Sequence, residues 1–167
     1  LIEDNAQGPL AMEEGRYAGT VADIGVFSLN YHKHIHTGEG GMCTTRDPEL
    51  ALRLQAIRNH AENIVAPAPI QNPVNMIGFN YRMSNVIAAI GLAQVEKADT
   101  YKELRIKNNA LYREFLKNVP GIIFQPLHPD YLNVSWMNAI VVDPELYGHT
   151  KDELIAHLKA NGIDTRL

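Results

Sequence analysis

Disulfide chemistry is the first thing this sequence excludes. Among its 167 residues there is one cysteine, Cys43, so neither an internal disulfide nor a Cys-based zinc centre can form. A reducing cytoplasm is the compartment that fits. Long apolar runs are missing too, each being broken by Asn, Gln or Gly. No charged segment leads into an apolar stretch at the N-terminus, so neither a membrane span nor a signal peptide is expected. Basic charge is scarce: fifteen Lys and Arg against nineteen Asp and Glu leave a net charge of −4. Without a dense basic run, nucleic acid is not an expected partner. What is present, 46% hydrophobic and 20% charged residues, is the composition of an ordinary globular protein. At this size folding buries roughly two-thirds of the unfolded surface, enough for one core or for two small lobes sharing a helix. The sequence lacks an initiator Met, opens on Leu1-Ile2-Glu3-Asp4 as if at the end of a buried strand, and stops just after an amphipathic helix. It is expected to be a fragment of a longer protein.

Along the chain, Asp23 to Ser28 and Gly41 to Thr45 are short and rich in β-formers, and they read as buried strands. Asp47 caps a surface helix that starts at Pro48, carries Leu50, Ala51, Leu54 and Ile57 as its apolar stripe, and runs to Asn59. Residues 63–76, with three prolines, read as a long loop. Ser84 caps a second helix with small and apolar residues on nearly every side, among them Val86, Ile87, Ala89, Ile90, Ala93 and Val95, which predicts a buried helix. From Lys102 to Lys117 the pattern is amphipathic, and this helix is expected to cross to another lobe. Ile122–Gln125 and Val134–Val142 read as strands, with Trp136 and Met137 in the later one as core residues. Thr150 caps a last helix that runs through Lys159 and ends at Gly162.

Between the first two strands lies Asn30-Tyr31-His32-Lys33-His34-Ile35-His36-Thr37-Gly38-Glu39-Gly40-Gly41, a polar, glycine-rich connection where backbone can approach a ligand closely. A lysine at a strand end in a partly desolvated pocket can act as a nucleophile and form a Schiff base with an aldehyde. That is the electronic requirement of a pyridoxal phosphate (PLP) lysine. The same cofactor wants a carboxylate facing its ring nitrogen, for which Asp4 stands in the right kind of place. Ser28 and Asn80 can supply donors to its phosphate. Taken singly, each has a plainer reading: a loop lysine is ordinarily solvated, and an aspartate at a strand end is ordinarily a cap. His32, His34 and His36 alternate, and three imidazoles on one extended face can bind zinc; solvent or substrate contact is the preferred reading, and no metal is expected.

The runs Ile2-Glu3-Asp4-Asn5-Ala6-Gln7, Gly25-Val26-Phe27-Ser28, Lys33-His34-Ile35-His36-Thr37-Gly38-Glu39-Gly40-Gly41, and Gly78-Phe79-Asn80-Tyr81-Arg82-Met83 followed by Ala88-Ala89-Ile90-Gly91-Leu92-Ala93-Gln94 resemble the DegT/DnrJ/StrS family of PLP-dependent sugar aminotransferases, along essentially the whole chain. The resemblance implies an α/β fold: part of the large domain of the fold type I transferases over residues 1–100, then a linking helix and the start of a small α+β domain over 101–167. It implies that Lys33 holds pyridoxal 5′-phosphate as the internal aldimine and shuttles the substrate proton. Asp4 would pair with the ring nitrogen, Gln7 would lie near the 3-hydroxyl, and Ala6 would pack on the ring face. Ser28 would bind the phosphate, and Asn80 would reach the phosphate held by a neighbouring subunit, which makes a homodimer the expected assembly. Tyr31, His32, His34 and Arg82 are candidate contacts to a nucleotide diphosphate.

The implied reaction transfers an amino group, with glutamate the expected donor, to a nucleotide-linked keto sugar, as in the making of cell-surface polysaccharide or antibiotic sugars. Relatives with His in place of the lysine are dehydratases, so the lysine at position 33 favours amination. The family's first half, with its phosphate-binding turn, has no counterpart here, which keeps open a truncated, noncatalytic PLP-fold domain with a binding or regulatory role.

Overall fold

The first strand, β1 (Ile2–Asp4), carries an acid where a buried strand would ordinarily carry an aliphatic residue. The computed structural model, which describes residues 1–61 and 77–166, accounts for it. The Glu3 carboxylate accepts three backbone N–H groups of the approach to the next sheet strand, from Gly19 at 2.6 Å and from Val21 and Ala22 at 3.1 Å each. Those bonds favour the charged form and hold the Glu3 carboxyl below its ordinary range. Between β1 and that approach the chain makes a hairpin, β2 (Met12–Glu13) and β3 (Arg16–Tyr17). Its two turn residues, Glu14 and Gly15, both take positive φ, of 48° and 76°, which is the mirror-image turn that suits the twist of paired strands.

The strand that follows the hairpin, β4 (Ile24–Ser28), lies parallel to β1 with Asp4 opposite Val26, and antiparallel to β5 (Gly41–Thr44) with Ser28 opposite Gly41. Both strands match the expected positions, as does α1 (Pro48–Arg58), where the Asp47 carboxylate accepts from the N–H groups of Glu49 and Leu50. The expected loop over 63–76 lies outside the described residues. Ser84 caps α2 (Asn85–Val95), and α3 (Ala98–Leu116) begins four residues before the expected Lys102. Next come β6 (Ile122–Phe124), β7 (Tyr131–Leu132) and β8 (Ile140–Val142), β6 pairing with β8 and β7 with β2. A single turn, α4 (Pro144–Tyr147), precedes α5 (Lys151–Ala160), whose Thr150 and Glu153 form a full capping box.

Strand β5, expected to be buried, is exposed at Met42 and Cys43. Two further expectations need correction. The later strand is Ile140–Val142, not Val134–Val142: residues 133–139 form an irregular connection that carries Trp136 and Met137. The second correction concerns α2, which has no buried residue; Val86 is 72% exposed, and Ile90, Leu92 and Val95 are exposed as well. Apolar residues all round a helix specify burial only where a second surface meets each face. Here the contact surface is narrow: Gly91 is where α2 approaches the β4–β5 loop, and a Cβ there would come within 3.1 Å of the Thr37 methyl carbon.

The core lies under that loop. Leu29 and Ile35, both in the loop, cluster with Ala98 of α3, and Leu10 and Met83 pack against them. Val134, 2% exposed, is the most deeply buried large side chain among the described residues. His34 is 6% exposed, and neither of its ring nitrogens has a hydrogen-bond partner among the described residues. Burial, and secondarily the positive charge of Arg105, push its pKa down to about 4, so it is neutral near pH 7.

Two outcomes follow. Because the folded-state pKa of His34 lies below the unfolded value, unfolding takes up a proton as the pH falls. Stability is therefore full above about pH 6.5 and falls toward pH 4, by at most roughly 3 kcal/mol. Urea midpoints at pH 7.5 and 4.5 should differ less in His34→Leu than in the parent; equal differences would refute the assignment. Glu3 has the opposite sign in its cause and the same direction in pH, since its depressed carboxyl contributes stability above its unfolded pKa and loses it in acid. Glu3→Gln should cost about 1–2 kcal/mol in thermal melts at neutral pH and flatten the acid slope below roughly pH 4.5.

Candidate active site around Lys33

The loop between β4 and β5 is closed by its own hydrogen bonds. Leu29 N–H donates to the Gly40 carbonyl and Thr37 N–H to the Leu29 carbonyl, each at 2.9 Å. Asn30 is the hub: its side-chain amide donates to Glu39 Oε1 at 2.7 Å, its Oδ1 accepts from His32 N–H at 3.1 Å, and its carbonyl accepts from Lys33 N–H at 2.9 Å. Such side-chain and backbone bonds explain why Asn, Thr and Gly crowd this segment. Gly38 sits at φ 86°, a conformation that disfavours any residue with a Cβ.

Parallel pairing brings the C-terminal ends of β1 and β4 to one edge of the sheet, the edge from which catalytic loops in such sheets commonly project. Asn5 N–H continues the pairing by donating to the Val26 carbonyl at 2.8 Å. Asp4, Ala6 and Gln7 therefore leave the sheet beside the strand that ends in Ser28 and leads to Lys33. Asp4 is exposed, and one oxygen accepts from Ala6 N–H at 3.0 Å. The Ser28 hydroxyl accepts from Asn30 N–H at 3.3 Å and keeps its own proton to donate.

Lys33 is half-buried, with its ammonium 4.3 Å from the centroid of the Trp136 ring. The same indole donates its N–H to the His32 carbonyl at 2.9 Å, and Arg105 of α3 donates to the Trp136 carbonyl at 3.0 Å. Trp136 thus belongs to the lysine loop and not to a strand of the later lobe, which corrects the sequence reading; Met137 is exposed. No local pattern points to this, since the bond spans 104 residues. That it is the single tryptophan of the chain is the one signal the sequence offers.

The expected substrate contacts are dispersed. Tyr31 is 60% exposed, with its ring 3.8 Å from that of His32, and the His32 imidazole meets the Arg166 guanidinium at 2.9 Å. His34 is buried and Arg82 exposed. Because the 31–36 segment turns and is not extended, the three histidines do not share a face, and among the described residues no group of three acids, His or Cys could hold a metal ion. Asn80 is exposed and sits in an antiparallel bridge with Asn59, at the end of α1.

The donor set suits a phosphorylated pyridine aldehyde. It offers an amine on the loop, a carboxylate one strand away with an uncommitted oxygen, and a hydroxyl at the strand end.

Comparison with known proteins finds relatives along essentially the whole chain. GDP-perosamine synthase of Caulobacter vibrioides is 34% identical over 167 residues, covering 99% of this chain and 44% of the relative. Among solved structures, S. venezuelae DesV in complex with a ketimine intermediate is 30% identical with a TM-score of 0.84, over 98% of this chain and 41% of DesV. The aminotransferase TlmJ from Streptoalloteichus hindustanus is 27% identical with a TM-score of 0.89, over 100% and 44%. The chain spans less than half the length of these relatives. Its fold is the α/β fold of the PLP-dependent sugar aminotransferases. Residues 1–167 match one family throughout, and the chain belongs to the DegT/DnrJ/EryC1/StrS aminotransferase family.

Proposed function

We propose that this chain carries the cofactor lysine and ring-facing carboxylate of a PLP-dependent sugar-nucleotide aminotransferase. The observation that carries the reading is the parallel β1–β4 pair, which delivers Asp4 and the Ser28–Lys33 segment to the same sheet edge. When bound, the cofactor supplies an electron sink for the carbon that exchanges its amine. Lys33 Nζ bonds the cofactor and moves a proton on and off that carbon. An oxygen of Asp4 accepts a hydrogen bond from the ring N–H and keeps it protonated, an interaction strongest where negative charge develops. Ser28 Oγ would donate to the phosphate, Ala6 would pack on the ring, and Gln7 would lie near its hydroxyl.

A GDP-linked keto sugar is the substrate class that similarity to GDP-perosamine synthase supports, with glutamate as donor and Tyr31, His32 and Arg82 toward the nucleotide, while the buried His34 is not among these contacts. We assign residues 1–100 to the cofactor domain and 101–167 to the linking helix and a second, smaller domain. The active assembly in this reading is a cytoplasmic homodimer. The exposed Asn80 is available there to the partner's cofactor. No helix among the described residues is long and apolar enough to cross a membrane.

Incubation with PLP, borohydride reduction and peptide mapping should place the label on Lys33 and lose it in Lys33→Ala; a label scattered over other lysines would refute the assignment. With a GDP-linked keto sugar and glutamate, mass spectrometry should detect the amino sugar, whereas a dehydrated sugar would identify a dehydratase. Asp4→Ala should retain the Lys33 label and lower turnover about a thousandfold.

A further inference from the structure

We propose that Trp136 is the positioning residue for Lys33: its indole N–H holds the loop backbone beside the lysine while its ring face holds the lysine ammonium. The inference rests on the reading of Lys33 as the cofactor lysine. Two independent contacts support it, the 2.9 Å bond to the His32 carbonyl and the 4.3 Å approach of Lys33 Nζ to the ring centroid. Lys33 Nζ has no ion pair or hydrogen bond among the described residues, so the ring is the one polarisable partner its charge meets.

Trp136 is itself held. Pairing of β2 with β7, Met12 opposite Leu132, brings residues 131–136 across to the N-terminal half of the chain. Val134 buries completely there, and Arg105 fixes the Trp136 carbonyl from α3. A lysine with several rotatable bonds has many rotamers to lose on ordering; an aromatic face at this distance selects those in which Nζ lies against the loop. The lysine is thereby kept at the mouth of the site until an aldehyde takes its amine.

The test needs no turnover. Trp136 is the single tryptophan, so tryptophan emission of the full chain reports on the surroundings of this one indole. Lys33→Met should shift the emission maximum and change its yield. In the absence of cofactor, a neutral amine-acylating reagent with peptide mapping gives the labelling rate of Lys33 relative to the half-buried Lys102, which is paired with Asp99. Trp136→Leu should raise that ratio about threefold or more, whereas Trp136→Phe, which keeps a ring face, should remain within about twofold of the parent. A general loosening would raise both lysines together and leave the ratio unmoved. An unchanged ratio in Trp136→Leu, or an unchanged spectrum in Lys33→Met, overturns the proposal. Should Trp136→Leu fail to fold, the Lys33→Met spectrum decides. Failure of PLP to label Lys33 in the parent chain would overturn the cofactor reading instead, and leaves these two comparisons to judge Trp136.

Discussion

The candidate site depends on the parallel pairing of two short strands. Strands β1 and β4 are joined by the hairpin and turns of residues 5–23, and their register sets Asp4 level with Val26. A slip of one residue would turn every side chain of β1 to the opposite face. The Glu3 carboxylate resists such a slip, because its three N–H donors come from the segment that feeds directly into β4. An acid inside a strand is here a register device, since its bonds can be made in one alignment only. Asp4 and Ser28 then emerge at one edge because parallel strands end on the same side.

The second half of the chain holds the loop from the other direction. Arg105, Asn109 and Arg113 recur every four residues along α3, and all three face residues 125–138: Arg105 bonds the Trp136 carbonyl, Asn109 the Asn138 side chain, and Arg113 the Gln125 carbonyl. Arg113 also braces Asn109 at 2.8 Å. Each bond contributes on the order of 1 kcal/mol net, and their shared spacing makes them act as a row on one helix face. Through that row the irregular 133–139 connection acquires a defined path, and Trp136 acquires a defined position over Lys33.

Burial is uneven for a chain so rich in apolar residues. A small cluster of Leu29, Ile35 and Ala98 lies directly under the loop, while Val86, Ile90, Leu92 and Val95 of α2 remain exposed. His34 adds an imidazole whose nitrogens find no partner among the described residues, a state that costs free energy. Rigidity is therefore concentrated where Lys33 sits, and it comes from loop hydrogen bonds as much as from packing.

What could be read from the sequence was what is local. Asp47, Ser84 and Thr150 cap their helices by bonds that reach two or three residues along the chain, so residue type and spacing suffice to see them. The strands at Ile24–Ser28 and Gly41–Thr44 were legible for the same reason, and the ordered motifs around Asp4, Lys33 and Asn80 carried the family. The β2–β3 hairpin is marked locally only by its Glu14-Gly15 turn, both residues at positive φ. The tertiary structure decided the rest. The Glu3 bonds span 16 to 19 residues, the Trp136 bond spans 104, and the Arg166 contact with His32 spans 134. The burial expected of α2 failed because a helix pattern records which faces are apolar but not whether a surface comes to meet them. Propensity and capping are written in neighbouring residues. Contacts between distant ones depend on where the whole chain has gone, and in this protein they position the residues around Lys33.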